Sequence, residues 1–167
     1  MDKKTITKRT QDFLDSDYEM LYNRLLDEFN VSYLRTYKSQ KLAFNHKDYR
    51  ISYIDVYGFC LWWNFDAFSF IEYLVVDKNY RKQGVGSSLL KAIKDFKRPI
   101  ILEIESDSSK MKFYQKNGFQ ECFFNYNPVQ INETPQLGLK LLAYDRTLSK
   151  EEFDAFLCKI SSSELQF

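Results

Sequence analysis

Two stretches of this 167-residue chain hold residues whose types and spacing suit chemistry. The first is Arg81-Lys82-Gln83-Gly84-Val85-Gly86-Ser87-Ser88, which places two of only five glycines between a strand-like apolar run and a helix-like one. Glycines in such a loop let the backbone take φ > 0 and lie close to a ligand. The unpartnered N–H groups of a helix start, with the helix dipole behind them, favour a phosphate or pyrophosphate. Arg81 and Lys82 add positive charge, and Ser87 and Ser88 offer hydroxyls. The second stretch is Phe70-Ile71-Glu72-Tyr73-Leu74-Val75-Val76, where a single carboxylate interrupts an apolar strand. A carboxylate there needs a reason, and service as a proton acceptor is one; an ion pair with a neighbouring Lys or Arg is another.

Two familiar phosphate loops do not fit. A Walker A loop ending at Gly86 requires Lys where Ser87 stands, and one ending at Gly84 requires Gly where Asn79 stands. A dinucleotide fingerprint requires a third glycine at Leu89 and a tighter approach to the strand than the Val76-to-Gly84 distance allows. Glu103 and Glu105 lie near the acidic position of that fingerprint, but three antiparallel strands before the loop are foreign to it.

The elements that must position these residues are legible from periodicity. Lys4 to Lys8 reads as a short strand, and Asp15, Ser16 and Asp17 offer caps to a helix carrying Tyr18, Leu21, Leu25, Leu26 and Phe29. A weaker helical stretch covers 34–44. The run 49–76 reads as an antiparallel meander of strands near 49–55, 58–64 and 68–76. In the last of these, strict alternation puts Phe70, Glu72, Leu74 and Val76 on one face and Ile71, Tyr73 and Val75 on the other. After the glycine loop come an amphipathic helix with Leu89, Leu90, Ile93 and Phe96, a strand near 99–105, and a helix capped by Asp107 and Ser108 that ends at Gly118. FQECFFNY and LGLKLLAYD read as strands around a polar loop. Ser149 and Glu152 make a capping box for a terminal helix with Phe153, Phe156, Leu157 and Ile160, and SSSELQF reads as a frayed tail. One domain, 1–167, is expected, because no linker or repeat interrupts the chain.

Bulk composition narrows the partners. With 24 basic and 23 acidic side chains the net charge is +1, which gives no long-range attraction to nucleic acid or to a membrane surface. Cys60, Cys122 and Cys158 form no Cys-x-x-Cys pair, so neither zinc nor a disulfide framework is expected, and no metal is called for. They also have no His or Asp constellation nearby, which argues against a covalent acyl-cysteine route. His46, the one histidine, precedes the sheet in a polar stretch and reads as structural. No apolar run suits a signal peptide or a membrane span, so cytoplasm is the expected compartment.

The pattern Arg81-x-x-Gly84-x-Gly86 after LVVDKNY, followed by Phe113-Tyr114-Gln115-Lys116-Asn117-Gly118-Phe119, resembles the paired signatures of the GNAT superfamily of N-acetyltransferases. The resemblance implies an α+β fold: a mixed, mostly antiparallel sheet flanked by helices, with its fourth and fifth strands splayed, here near 68–76 and 99–105. The terminal helix is an addition to that plan. The resemblance further implies acetyl-CoA as acyl donor, with its pantetheine arm on the backbone of Leu74 and Val76 and its pyrophosphate on the N–H groups from Lys82 to Ser87. A backbone N–H near Val75 would polarise the thioester carbonyl. Asp107 stands where the family often has Asn and cannot donate the hydrogen bond that Asn would. Tyr114 is implied as the acid for the departing thiolate, and Glu72 as the base.

The acceptor site would lie in 27–37 and 125–136, where Asp27, Glu28 and Glu133 accompany Tyr33, Tyr37, Phe124 and Tyr126, a composition that suits a cationic amine of a small molecule or peptide. The expected reaction is direct attack by the amine in a ternary complex. The rival readings are a non-catalytic coenzyme A-binding sensor or scaffold, and an assembly protein using the helix 150–160. The resemblance leaves monomer or homodimer open.

Overall fold

The run from Tyr49 to Val76 folds as the expected meander because its side chains are β-branched or aromatic and its breaks fall at Asp55-Val56-Tyr57 and at Phe65–Phe68. The computed structural model describes residues 4–106, 108–126 and 138–161. In chain order these form β1 (Ile6–Arg9), α1 (Asp15–Glu28), α2 (Tyr37–Phe44), β2 (Tyr49–Ile54), β3 (Gly58–Asn64), β4 (Ser69–Val76), α3 (Val85–Lys94), β5 (Ile100–Glu105), α4 (Met111–Lys116), β6 (Phe119–Cys122), β7 (Leu139–Tyr144) and α5 (Lys150–Ile160). Short 3-10 turns cover Thr10–Asp12, Val31–Tyr33 and Lys78–Tyr80.

The strands make one seven-stranded sheet in the order β1-β2-β3-β4-β5-β7-β6. Neighbours are antiparallel except β4 and β5, which run parallel. The parallel pair needs a crossover, and α3 supplies it. This is the mixed α+β plan the sequence implied.

Helices cover both faces of the sheet, which explains why β3 is buried from Gly58 to Trp63 instead of alternating with water. One layer packs α1, α2 and α5 on Phe59, Leu61, Trp63, Tyr73, Val75 and Ile101. The other packs α3 and Tyr114 of α4 on Cys60, Trp62, Ile71, Leu102 and Ile104. Trp62 and Trp63, adjacent in sequence and both 0% exposed, therefore belong to different layers. The Trp62 indole donates to Ser52 Oγ at 3.1 Å, whereas Trp63 lies against Tyr49 with centroids 4.5 Å apart.

Caps set several boundaries. The Leu14 N–H donates to Asp17 Oδ2 at 3.0 Å, so α1 begins just after Leu14, with Asp17 serving from its first turn and not from the cap position itself. Thr36 and Ser149 accept N–H bonds from Ser39 and Glu152, and the Glu152 carboxylate returns a contact to the Ser149 N–H at 2.8 Å. β6 ends at Cys122, so Phe123 to Tyr126 leave the strand expected for them; Phe123 is exposed and Phe124 turns back to stack on Phe153 at 4.2 Å. The frayed tail expected for the C-terminus falls outside the described residues after Ser161. No described helix is long and apolar enough to cross a membrane.

Gly58 has the least room of any glycine near the site. A Cβ there would meet the Val75 carbonyl oxygen at 2.6 Å and Val85 Cγ1 at 3.2 Å. Gly58→Ala must displace β4 or α3 and is expected to cost about 1–3 kcal/mol, read as a lower midpoint in denaturant unfolding.

Candidate active site

The site begins where two strands part. β4 and β5 share only the pairs Ser69–Ile100, Phe70–Ile101 and Ile71–Leu102. Beyond them lie Glu72 on β4 and Glu103 on β5, the first residue of each strand past the last shared rung. At the same point β4 bulges against β3: Trp62 pairs with Ile71 and Leu61 with Tyr73, so Glu72 is an extra residue with no opposite number.

The bulge resets the alternation. Phe70, Tyr73 and Val75 share the layer of α1, α2 and α5, while Ile71, Leu74 and Val76 share that of α3. The expected grouping of Phe70 and Glu72 with Leu74 and Val76 is therefore corrected: Glu72 enters the α1–α2 layer, and Leu74 and Val76 face the other way. A strict period of two cannot survive an inserted residue.

Glu72 is nearly enclosed. Its side chain is 6% exposed and that of its partner Arg35 is 10%. Arg35, in the loop before α2, donates Nη2 to Glu72 Oε1 at 2.8 Å and Nε to the same oxygen at 3.0 Å. The Tyr49 hydroxyl donates to Glu72 Oε2 and in turn receives Gln40 Nε2 at 3.2 Å. Burial draws the Arg35 guanidinium down, but the Glu72 charge, the phenols of Tyr73 and Tyr49 and the hydrogen bond to Glu72 together more than offset it and the pKa is raised. Burial, then Glu72, also pushes the Tyr49 phenol well up, so it stays a donor.

Glu103 lies across the fork in the same layer, because Ile101 two residues before it belongs there. Its carboxyl accepts a hydrogen bond from the Tyr126 hydroxyl, whose ring packs on Phe156 at 6.0 Å. Withdrawal from water, and then the negative charge of Glu72, push the Glu103 carboxyl up to about 8. Two carboxylates thus differ sharply: one is held by a cation and a phenol, the other stays protonated until mildly alkaline pH.

Tyr114 occupies the opposite layer, 7% exposed, edge-on to Phe113 (5.1 Å) and Phe119 (5.7 Å). Burial, then Cys60, raises its pKa, so it is a phenol donor and never a phenolate near neutrality. Acid and base candidates therefore lie in opposite layers of the sheet. Burial likewise pushes the Cys60 and Cys122 thiols up, which removes them as nucleophiles.

Past the fork, β4 offers backbone. The Asp77 N–H donates to Tyr57 O at 2.9 Å, which fixes the alternation of the antiparallel pair. Asp77, Val75 and Tyr73 direct their amides to β3, while Leu74 and Val76 direct theirs to the open edge. The N–H of Val75 faces β3, so an amide near it that reaches the open edge is that of Leu74 or Val76. The loop that follows has Lys82 at φ 61° and Gly84 at φ 82°, and α3 starts at Val85. The first intrahelical bond runs from Ser88 N–H to Gly84 O, so the N–H groups of Val85, Gly86 and Ser87 have no acceptor within the helix. A Cβ on Gly86 would meet the Phe113 ring at 2.9 Å, which brings the two sequence signatures into contact. Gln83 donates to Asn79 O at 3.1 Å, and Ser87 is half-buried while Ser88 is exposed.

Several expectations meet other outcomes. Asp107, and residues 127–136 of the expected acceptor loop with Glu133, lie outside the described residues; Ser108 Oγ accepts the Lys110 N–H at the start of α4. His46 Nδ1 accepts the Asp48 N–H at 3.1 Å, a structural role. Among the described residues no three His, Cys, Asp or Glu side chains are grouped to hold a metal. Sequence reasoning missed Arg35 and Tyr49 altogether, named Tyr126 only among the aromatics of the expected acceptor site, and noted Glu103 only for a fingerprint that failed; the isolated carboxylate in Ile-Leu-Glu-Ile was a signal of the same kind as Glu72.

Residues 47–121 match the family model described as an acetyltransferase (GNAT) domain. Over 98 residues the chain is 34% identical to a Bacillus subtilis (strain 168) protein named as an acetyltransferase, YjbC; the match takes in 53% of this chain and 50% of that protein, so it spans about half the length of that relative. A Bacteroides thetaiotaomicron protein described as a GNAT-family acetyltransferase superposes with a TM-score of 0.79 at 21% identity, over 98% of this chain and 99% of its own. Arabidopsis thaliana NAA60, solved with acetyl-CoA, superposes with a TM-score of 0.65 at 16% identity, over 84% of this chain and 98% of its own. At such identities the structural likenesses speak to the fold.

Two stability measurements test the electrostatics. Arg35→Met leaves the Glu72 carboxylate buried without its cation and is expected to cost about 3–5 kcal/mol, whereas Arg35→Met with Glu72→Leu recovers much of that loss in chemical denaturation. The Glu103 carboxyl is raised from 4.5 to about 8 in the fold, so the folded state holds a proton that the unfolded chain releases. Its contribution is intact below pH 4.5 and is lost as pH rises toward 8; Glu103→Gln is expected to flatten that part of the stability profile.

Proposed function

We propose that this chain, whose residues 47–121 match the family model of a GNAT acetyltransferase domain, moves an acetyl group from acetyl-CoA to a primary amine of a small molecule or peptide by direct attack in a ternary complex. The observation that supports the reading is the parting of β4 and β5 at Glu72 and Glu103, with Tyr114 in the opposite helix layer.

The residues present fit the donor. The open edge of β4 supplies amides at Leu74 and Val76, the turn through Lys82 and Gly84 gathers N–H groups at the start of α3, and Gly86 has no side chain to fill the space beside Phe113. Leu74 and Val76 would hold the pantetheine arm, and the N–H groups from Lys82 to Ser87 with Arg81 the pyrophosphate. Bound there, acetyl-CoA supplies an activated acetyl thioester.

An alkyl ammonium must lose a proton before it attacks. Glu72 and Glu103 both reach the side of the sheet where α1 and α2 lie. The Oε1 of Glu72 already receives two bonds from Arg35 and its Oε2 one from Tyr49, which holds the carboxyl in place and leaves Oε2 to accept a hydrogen bond from the amine. Glu103, raised to about 8, is matched to the proton-transfer task near neutral pH. The reading therefore divides the role first given to Glu72: Glu72 positions the amine and Glu103 takes its proton. Tyr114, on the far side, donates to the departing thiolate. Burial keeps its proton in place until the leaving group needs it.

The test is thiol release from acetyl-CoA against a panel of amines, with acetyl-CoA binding measured beside it. With an accepted amine, kcat is expected to rise through pH 8 in the wild type. Glu103→Gln is expected to abolish that rise and lower kcat about 10²- to 10⁴-fold with binding intact; Tyr114→Phe is expected to lower kcat without changing the pH at which it rises. If Glu72→Gln removes the rise instead, Glu72 is the proton acceptor. Binding without turnover on any amine would favour a coenzyme A sensor, and no binding would refute the reading.

A further inference from the structure

Arg81 has a partner that no signature explains. Its Nη2 donates to Glu28 Oε2 at 2.7 Å, and its Nε donates to the Val76 carbonyl at 3.1 Å. Val76 O is one of the open-edge acceptors of β4, so Arg81 is spread across the end of the edge that the donor would use. Glu28 is the last residue of α1, where the helix dipole disfavours a carboxylate, and the last turn of α1 carries no basic residue to compensate it. One turn earlier Arg24 pairs with Asp77, the residue after Val76, at 3.5 Å. Two ion pairs of opposite sense thus tie the end of α1 to the segment joining β4 to α3.

We propose that Glu28 is a positioning residue: it holds Arg81 on the open edge of β4 and competes with the pyrophosphate of acetyl-CoA for that guanidinium. The inference rests on the donor reading above. Glu28 and Val76 already take two of the five guanidinium N–H groups, and the Glu28 carboxylate beside Arg81 opposes the approach of a phosphate to the same side chain. Arrival of the pyrophosphate draws Arg81 off Glu28 and frees Val76 O for an amide of the incoming arm. The end of α1, which leads through Val31–Tyr33 to Arg35 and so to Glu72, then loses one of its two ties to the donor loop. Donor binding is in this way coupled to the acceptor wall through a single side chain. The pair is surface-exposed, with side chains 53% and 24% accessible, so its hold is modest and salt-sensitive.

Calorimetric binding of coenzyme A to the wild type, Glu28→Gln, Asp27→Asn, Arg81→Gln and the Glu28→Gln/Arg81→Gln double variant tests this. Glu28→Gln is expected to bind about 2- to 5-fold more tightly at low salt, a gain that shrinks as salt rises. Asp27→Asn removes the same charge one residue earlier, from an exposed side chain, and is expected to match the wild type. In the Arg81→Gln background the Glu28 substitution is expected to have no effect, a non-additivity that a general loosening of α1 would not produce. Equal affinity in wild type and Glu28→Gln overturns the inference, as does an equal gain in Asp27→Asn or a gain that persists without Arg81. If none of the proteins binds coenzyme A, the donor reading itself fails.

Discussion

The structure depends on the parting of β4 and β5 after three shared rungs. A parallel pair that stayed zipped would bury its amides in the sheet and leave no edge for a ligand. Because the strands separate at Ile71 and Leu102, the next residue of each becomes the wall of a gap. The bulge at Glu72 adds the second half of the device, since it turns an extra side chain into the α1–α2 layer while the remaining strand continues toward α3. The sheet is sound up to that point because both layers are packed: Phe156 of α5 lies on Phe68 and Phe70, and Leu89, Leu90 and Ile93 of α3 are almost inaccessible. An opening in the middle of a sheet persists only when the flanking layers hold the strands in place.

The charges at the fork follow from burial. A carboxylate so enclosed is tolerated only with its bonds filled. Arg35 and Tyr49 fill those of Glu72 from a loop and from β2. Glu103 is paired with no cation among the described residues and answers the same pressure by keeping its proton. The two acids thus meet burial through different neighbours, and the roles proposed for them rest on that difference. Tyr114 gains its character from burial as well, in a layer that the carboxylates do not enter.

Much of the frame was legible in the sequence. The meander, the glycine loop, α3 and the box at Ser149 and Glu152 announce themselves through local periodicity and capping, which are short-range. The fold class followed from the resemblance. What escaped was set at long range. No pattern in Ser69–Val76 marks where an extra residue will enter a ladder, because the bulge is defined by the partner strand; strict alternation therefore gave the wrong face for Leu74 and Val76. Arg35 and Tyr49 were invisible because they lie far from Glu72 in sequence and carry no motif. Glu103 was visible as a lone acid among Ile and Leu, yet a lone acid has meaning only once its neighbour across the gap is known. Which residues of β4 turn their amides to the open edge is likewise settled by the register with β3 and by no pattern within the strand.

The adjacent pair Trp62 and Trp63 gives this chain two internal lamps, one in each layer of the sandwich. Trp63 touches Tyr49, whose hydroxyl ends on Glu72, and so it stands two contacts from the α1–α2 side of the gap. Trp62 lies against Phe96 in the layer of α3. Emission from the native protein is thus the sum of two signals, one from each layer. With one indole replaced by Phe at a time, events on the two faces of the same sheet become separable by light alone.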